Sequence, residues 1–198
     1  MKSSISKKKY LAIYRLLDRV SPVSFDCGTL CGAACCAIGN IESEKEDFEL
    51  GIYLYPGEEK IFKEYETRKP FPSEWLDWSI EYVNSQNYPD SWSGGKVYFV
   101  RCKTPPNCPR EYRPLQCRFF PLTPHIMGDG SFKLILFPYE LPYECPLIQE
   151  KANLDSRFIK ATYTVWKHLL RDQVFWDLVK FDSDYREEEN LELHFIYP

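Results

Sequence analysis

The chain has 198 residues, of which 44% are hydrophobic and 16% aromatic, so it can bury a core without depending on disulfides. Its formal net charge is -4, and no general excess of basic residues points to a nucleic-acid partner. The apolar runs are shorter than the roughly 18 residues that a membrane span needs, which argues against a membrane protein.

The first 20 residues, MKSSISKKKYLAIYRLLDRV, begin with basic residues as a signal peptide would. Arg15 and Asp18 break the apolar stretch, and no small-residue cleavage site follows it. The pattern therefore predicts an amphipathic helix over residues 7–20. Its core-facing side is predicted to carry Leu11, Tyr14, Leu17 and Val20. Without an export signal we expect a cytoplasmic protein, whose thiols stay reduced.

The stretch FDCGTLCGAACC, residues 25–36, holds half of the eight cysteines. They are Cys27, Cys31, Cys35 and Cys36. On a continuous helix the first three would share one face, about 5–6 Å apart at Cβ between successive turns. The glycines weaken a regular helix, so a loop wrapped around a metal is an equal alternative. In a reducing compartment, metal ligation explains this clustering better than disulfides or ordinary buried thiols.

Between the cysteine blocks the pattern predicts scaffold elements. The stretch FELGIYLYPGEEKIFK, residues 48–63, predicts a hairpin around Pro56-Gly57, with the acidic pair Glu58 and Glu59 facing solvent in its turn. The tryptophan-rich residues 75–80 are interpreted as a short helical or irregular stretch. GGKVYFVRC then predicts a strand that leads into the second cysteine block.

The second block, VRCKTPPNCPREYRPLQCRFFP, contains Cys102, Cys108 and Cys117, and Cys145 follows in YECP. Three prolines, Pro105, Pro106 and Pro109, stiffen an irregular loop. Basic side chains are concentrated here, where they would compensate the negative charge of metal-bound thiolates. These are Arg101, Lys103, Arg110, Arg113 and Arg118.

Two further elements are predicted downstream. PLTPHIMGDGSFKLILFP predicts a hairpin with its turn at Gly128, Asp129 and Gly130. Residues 155–181 have a helical pattern, in which Asp172 would cap a second helix. Phe158, Val165, Trp166 and Leu169 are expected near one face of this region. The acidic tail YREEENLELHFIYP is interpreted as a solvated face or linker.

Together these elements predict an α+β fold. We expect a single cysteine-cluster domain over residues 1–198, with a hairpin-containing middle, flanking helices and a C-terminal helical region over residues 150–183. The two cysteine blocks are predicted to meet in space, since each supplies half of the thiols of one cysteine-ligated metal site.

The succession CGTLCGAACC, C-x5-C, YRPLQCRFFP and a final Cys-Pro resembles the YkgJ-type cysteine-cluster family, over about residues 25–146. The resemblance implies a zinc- or iron-chelating domain, or an iron–sulfur protein, and it implies no particular reaction. All eight cysteines are candidate metal ligands, with Cys35 and Cys36 competing for one usual place. Arg113 and Arg118 flank Cys117 and are predicted to bind the cofactor by donating to a thiolate, a cluster sulfur or a nearby carbonyl.

All-thiolate ligation suits both zinc and iron–sulfur clusters, and none of the three histidines lies in a cysteine block. The Cys-Pro pairs favour an iron–sulfur cluster, with zinc as the alternative and a structural or redox role. Two other functions stay open: a protein-modifying enzyme, by analogy with flagellin lysine methylase, and a metal-stabilised protein-interaction module. No phosphate-binding glycine motif and no radical-SAM cysteine spacing is found.

Overall fold

The computed structural model describes residues 2–37, 51–62, 76–83, 87–102, 113–149 and 153–198. Its helices are α1 Lys7–Leu17, α2 Gly28–Cys31, α3 Ala34–Ala37, α4 Leu115–Phe119, α5 Pro146–Gln149, α6 Ser156–Leu169 and α7 Gln173–Glu188. Its strands are β1 Ile52–Tyr53, β2 Leu76–Tyr82, β3 Lys96–Cys102, β4 Leu122–Ile126, β5 Phe132–Leu136 and β6 Phe195–Tyr197. Helices and two small antiparallel sheets make this an α+β fold, as the sequence predicts.

The first sheet has the strand order β1-β3-β2, and all its pairs are antiparallel. The predicted strand into the second cysteine block is confirmed as β3. The hairpin around Pro56-Gly57 is wrong, because β1 pairs with the distant β3 and residues 59–62 are helical. The helical or irregular interpretation of residues 75–80 is also wrong from Leu76 onward, since LDWSIEY alternates with the period of a strand. Residues 48–50, 63 and 75 lie outside the described part of the chain.

The second sheet has the order β4-β5-β6. Its β4–β5 hairpin confirms the prediction, and Met127 closes the turn by donating its N–H to the Ser131 carbonyl at 2.8 Å. The Asp129 carboxylate accepts from both the N–H and the hydroxyl of Ser131, which fixes the tip. The tail was interpreted as a solvated face or linker: Glu187, Glu188 and Glu189 are exposed, as on a solvated face, whereas the end of the tail adds β6 to this sheet.

Helix α1 confirms the N-terminal prediction, although it ends at Leu17. The Ser6 side chain accepts from the Lys9 N–H at its start, as an N-cap does. Tyr10 and Ile13 join Tyr14 and Leu17 in the buried face, while Leu11 and Val20 only pack at its edge. The helix therefore presents a more aromatic face to the core than the sequence pattern indicated.

The C-terminal helices α6 and α7 begin at aspartate N-caps, Asp155 and Asp172. Asp172 was predicted to cap a helix, and its side chain accepts from the Val174 N–H. The same carboxylate accepts from the backbone N–H and the hydroxyl of Ser4, both at 2.6 Å. The cap of α7 therefore also holds the N-terminal segment in place.

One hydrophobic cluster joins α1, the turn after β1, the second sheet, α4, α6 and α7. Its fully buried side chains include Tyr10, Phe62, Leu115, Phe119, Leu134, Phe158, Trp166 and Phe175. Each buried side chain of this size contributes about 1.5–3 kcal/mol from the removal of apolar surface from water. Among the helices described, none has the length and apolar character that crossing a membrane requires.

Candidate functional site

The first cysteine block forms two separate helical turns, α2 and α3, and not one continuous helix. Gly32 and Ala33 lie between them with φ of 61° and 56°, in the left-handed region. The Ala33 N–H donates to the Gly28 carbonyl at 2.8 Å, which closes α2 in the manner of a Schellman cap. The single cysteine face expected of a continuous helix is therefore wrong, because Gly32 ends the first turn after Cys31.

Local hydrogen bonds explain where this block begins. The Asp26 carboxylate accepts from the Gly28 N–H at 3.2 Å, and its carbonyl accepts from the Thr29 hydroxyl at 2.7 Å. Upstream, the Pro22 carbonyl accepts from the Asp155 N–H at 2.8 Å. The segment that carries Cys27 is thus attached to the start of α6.

Cys145 lies at the N-terminus of α5, where Pro146 occupies the first helical position. Its carbonyl accepts from the N–H groups of Ile148 and Gln149, both at 3.0 Å. Its side chain is 7% exposed, and burial raises the pKa of the thiol. The N–H groups of Leu147 and Ile148 lower that pKa, so this helix end offers donors to a thiolate.

Cys145 lies within electrostatic range of two thiols of the first cysteine block. After burial, the negative charges that Cys31 and Cys27 carry as thiolates raise the pKa of Cys145 further. More than one hundred residues of chain separate these thiols, so tertiary structure brings them together. Both Cys27 and Cys31 are half-buried, whereas Cys35 is exposed.

Cys117 lies in α4 and is half-buried. As a thiolate it raises the pKa of the Tyr55 hydroxyl, although burial is the largest cause of that increase. Tyr55 packs its ring against Trp166 and Phe175, with 5.5 Å between ring centroids in each pair. Helix α4 itself buries Leu115 and Phe119 in the core.

Arg118, one of the two predicted cofactor-binding arginines, is 8% exposed. Its Nε donates to the Arg113 carbonyl at 2.6 Å, and its Nη1 forms an ion pair with Asp18 at the end of α1. Its guanidinium lies 4.3 Å from the centre of the Tyr14 ring. These contacts bind α4 to α1, and the half-buried Arg113 contributes its carbonyl to them.

Glu58 was expected to face solvent, and that expectation is wrong, because the side chain is 0% exposed. It accepts hydrogen bonds from the Tyr14 hydroxyl, from the Tyr55 N–H at 2.9 Å and from the Leu115 N–H at 2.8 Å. Burial raises the pKa of the carboxyl, and these three donors and the charge of Arg118 oppose that increase. The carboxylate thus joins α1, the turn after β1 and the start of α4.

Within the described residues, no group of three or more His, Cys, Asp or Glu side chains is arranged so that it could hold a metal ion. The side chains of Cys36 and Cys102, and all of Cys108, lie outside the description. The structure therefore relates Cys145 to Cys27 and Cys31, while a complete ligand set stays a prediction.

Sequence reasoning missed two charged residues of α7, Asp182 and Arg186. Arg186 is 2% exposed although it belongs to the stretch interpreted as a solvated tail. The i, i+4 spacing of these residues was the available signal, since it places both on one side of a helix.

The comparisons with known proteins identify no relative. The chain matches no protein-family model, no curated protein and no solved structure.

Proposed function

We propose that the protein binds an iron–sulfur cluster, or alternatively zinc, through its clustered cysteines, in a structural or redox role in the cytoplasm. The observation that carries this proposal is that the charges of Cys31 and Cys27 act on the thiol of Cys145, more than one hundred residues away in the chain. Three thiolates near one another repel, and a bound cation removes that repulsion. The donor chemistry fits, because soft thiolates favour zinc and iron–sulfur clusters.

The surroundings of Cys145 support ligation by a thiolate. The backbone N–H groups of Leu147 and Ile148, in the first turn of α5, lower the pKa of its thiol. Hydrogen bonds of this kind stabilise a thiolate and tune a metal that it binds. Cys145, Cys27 and Cys31 do not close a site by themselves, so the proposal draws further ligands from the other cysteines. These are Cys117, Cys102, Cys108 and Cys35 or Cys36.

The resemblance to the YkgJ-type family is part of this proposal and gives the same ligand chemistry. In that arrangement α4 would present Cys117 to the site, while Arg118 holds the helix on α1. The metal would supply charge neutralisation of the thiolates and, if it is an iron–sulfur cluster, one-electron redox chemistry.

The test is anaerobic purification of the full chain, followed by analysis of iron, sulfide and zinc and an absorption spectrum. We expect iron and acid-labile sulfide, with absorption near about 400 nm from the sulfur-to-iron charge transfer of such clusters. Stoichiometric zinc without sulfide would select the zinc alternative. Protein without metal, in which all eight thiols react with a thiol reagent, would contradict both.

A further inference from the structure

A surface groove lies between α7 and the short 3-10 turn Asp90–Trp92. Its volume is about 360 Å³, large enough to hold a small ligand or a side chain of a partner. Two hydrogen bonds hold the turn on the helix. The Ser91 hydroxyl donates to Asp177 Oδ2 at 2.6 Å, and the Trp92 indole N–H donates to the Val174 carbonyl at 3.1 Å. The groove is therefore a fixed feature of the fold, although its two sides are more than eighty residues apart in the chain.

Two half-buried aromatic side chains of α7, Trp176 and Phe181, line this groove. At 3.6 residues per turn, they lie on opposite sides of the helix stripe that carries Asp177 and Asp184. Trp176 packs against the large hydrophobic cluster, but its indole N–H donates no hydrogen bond within the described residues. Phe181 belongs to neither apolar cluster of the described chain. The groove thus offers one ring face and one N–H donor that the described protein does not use.

The polar lining of the groove has an excess of negative charge. It includes the carboxylates of Asp90, Asp177 and Asp184 and the ammonium of Lys180. Lys180 forms an ion pair with Asp184, so these two charges cancel. Asp177 accepts from a hydroxyl and an amide, both neutral donors, and the Asp90 carboxylate has no hydrogen bond or ion pair within the described residues. In that part of the chain, neither carboxylate therefore has a cation as its partner.

We propose that this groove binds an arginine side chain of a partner polypeptide, whose guanidinium contacts the carboxylates of Asp90 and Asp177 and stacks on Phe181. Charge complementarity carries the assignment, because the carboxylates attract a cation and repel the phosphates of a nucleic acid or an acidic lipid. A guanidinium fits better than an ammonium, since its planar fork donates to several oxygens at once and stacks on an aromatic ring.

A polypeptide suits the groove better than a free cation does. Asp90, Gln173 and Lys180 are exposed, so the groove opens along the surface instead of closing around a small molecule. The Trp176 N–H adds a donor for a backbone carbonyl, which a polypeptide supplies and a simple guanidinium lacks. This inference is independent of the proposed metal site, since it uses none of the cysteines.

The experiment is an NMR titration of the isotope-labelled full chain with a capped pentapeptide that carries one arginine between alanines. The comparison probes are the same peptide with lysine, the same peptide with citrulline, and ethylguanidine. Citrulline keeps the shape of arginine without its charge, and ethylguanidine keeps the charged group without a backbone. The arginine peptide should shift the Trp176 indole signal, which a Trp176→Phe spectrum identifies among those of the five tryptophans.

The probes should differ in affinity. The citrulline peptide and ethylguanidine should each bind at least about tenfold more weakly than the arginine peptide, which corresponds to about 1.4 kcal/mol. The lysine peptide should bind about two- to fivefold more weakly, because an ammonium neither forks nor stacks as a guanidinium does.

Three variants complete the test. Asp90→Asn should weaken binding of the arginine peptide by about tenfold, and Phe181→Leu should weaken it by about two- to fivefold. The matched control Glu188→Gln removes an exposed carboxylate of α7 that does not line the groove, so it should leave binding unchanged. Circular dichroism and thermal melting show that the variants are folded.

Three outcomes would overturn the proposal. The first is that the arginine peptide causes no shift at up to about 10 mM, a concentration at which even a weak site is occupied. The second is that any of the three comparison probes binds as tightly as the arginine peptide. The third is that Asp90→Asn binds the peptide like the wild type, or that Glu188→Gln weakens binding equally.

Discussion

Glu58 and Cys145 both carry a buried group that can be negatively charged, and their surroundings differ. Glu58 is 0% exposed and receives three hydrogen bonds, with the charge of Arg118 nearby. Cys145 is 7% exposed, and the negative charges of Cys31 and Cys27 as thiolates disfavour its charged form. The polypeptide thus completes the surroundings of Glu58, whereas for the thiols we propose that a metal would compensate the negative charge.

The first prediction removes the Glu58 carboxylate and has the largest expected effect on the free energy of unfolding. Glu58→Ala would leave the Tyr14 hydroxyl and the N–H groups of Tyr55 and Leu115 without their acceptor inside the protein. Each unsatisfied donor costs about 1–3 kcal/mol, so we expect the free energy of unfolding to fall by about 3–5 kcal/mol. Urea denaturation followed by circular dichroism measures this change.

The matched control for that variant is the next residue along the chain. Glu59 is half-buried, and no hydrogen bond to it is described. Glu59→Ala should therefore change the free energy of unfolding by no more than about 0.5 kcal/mol. Equal losses in the two variants would show that Glu58 is not the junction of α1 and α4.

The second prediction concerns Arg118 in α4, the helix that begins next to Glu58 and also carries Cys117. Arg118→Lys keeps the charge but loses the fork that bonds both Asp18 and the Arg113 carbonyl. We expect a loss of about 1–3 kcal/mol in stability, together with weaker metal retention or a lower reduction potential, because α4 also carries Cys117. The control Arg157→Lys changes an arginine that is 77% exposed. If both variants match the wild type in stability and metal content, Arg118 has no role in either region.

The third prediction uses the pH dependence of stability at Asp182 in α7. The pKa of Asp182 is higher in the folded chain, about 6 against an ordinary 3.8, so its proton favours folding at low pH. That contribution is lost as the pH rises from 3.8 to about 6. Asp182→Asn should therefore be more stable than the wild type at pH 7 and equal to it near about pH 4.

The expected gain at pH 7 is about 1 kcal/mol, less than the pKa displacement implies at 1.36 kcal/mol per pKa unit, because 42% of the side chain is exposed. Thermal melting from pH 4 to pH 8 measures it, with Asp184→Asn as the control. A gain that does not depend on pH would show that Asp182 is not desolvated.

The fourth prediction has the smallest effect and concerns the turn between Cys31 and Cys35. Ala33 has φ of 56°, which costs a non-glycine residue about 1–2 kcal/mol. Ala33→Gly should stabilise the protein by about 0.5–1 kcal/mol after the entropy of glycine is subtracted. Ala161→Gly, in the regular helix α6, should instead destabilise it by about 1 kcal/mol. If both variants are less stable than the wild type, the left-handed conformation of Ala33 is contradicted.

Local signals made part of this fold predictable. The β4–β5 hairpin follows from alternation on both sides of a Gly-Asp-Gly turn, and α7 follows from Asp172 as a cap. The pairing of β1 with β3 was missed because its partner lies more than forty residues away, beyond any local pattern. A turn signal at Pro56-Gly57 predicted a hairpin, but the chain turns there into a short helical segment.

In the candidate sites, too, contacts between distant parts of the chain could not be predicted from local patterns. Cysteine spacing made all eight cysteines candidate ligands, since thiols clustered in sequence are a local signal, but it did not indicate that the charges of Cys31 and Cys27 would act on Cys145. The burial of Glu58 depends on donors from Tyr14 and Leu115, which lie 44 and 57 residues away in the chain. The burial of Arg186 depends on Tyr139 and on the Pro124 carbonyl, which no pattern within α7 indicates.

The most direct test of the central claim is the metal content of cysteine variants after anaerobic purification. Cys145→Ala and Cys27→Ala should each lose most of the metal, and the double variant should lose no more than either, because both side chains serve one site. The control Leu147→Ala truncates a buried neighbour in α5, so it should cost about 2–5 kcal/mol of stability and yet retain metal when folded. Wild-type metal content in Cys145→Ala, or equal loss in Leu147→Ala, would contradict a shared thiolate site.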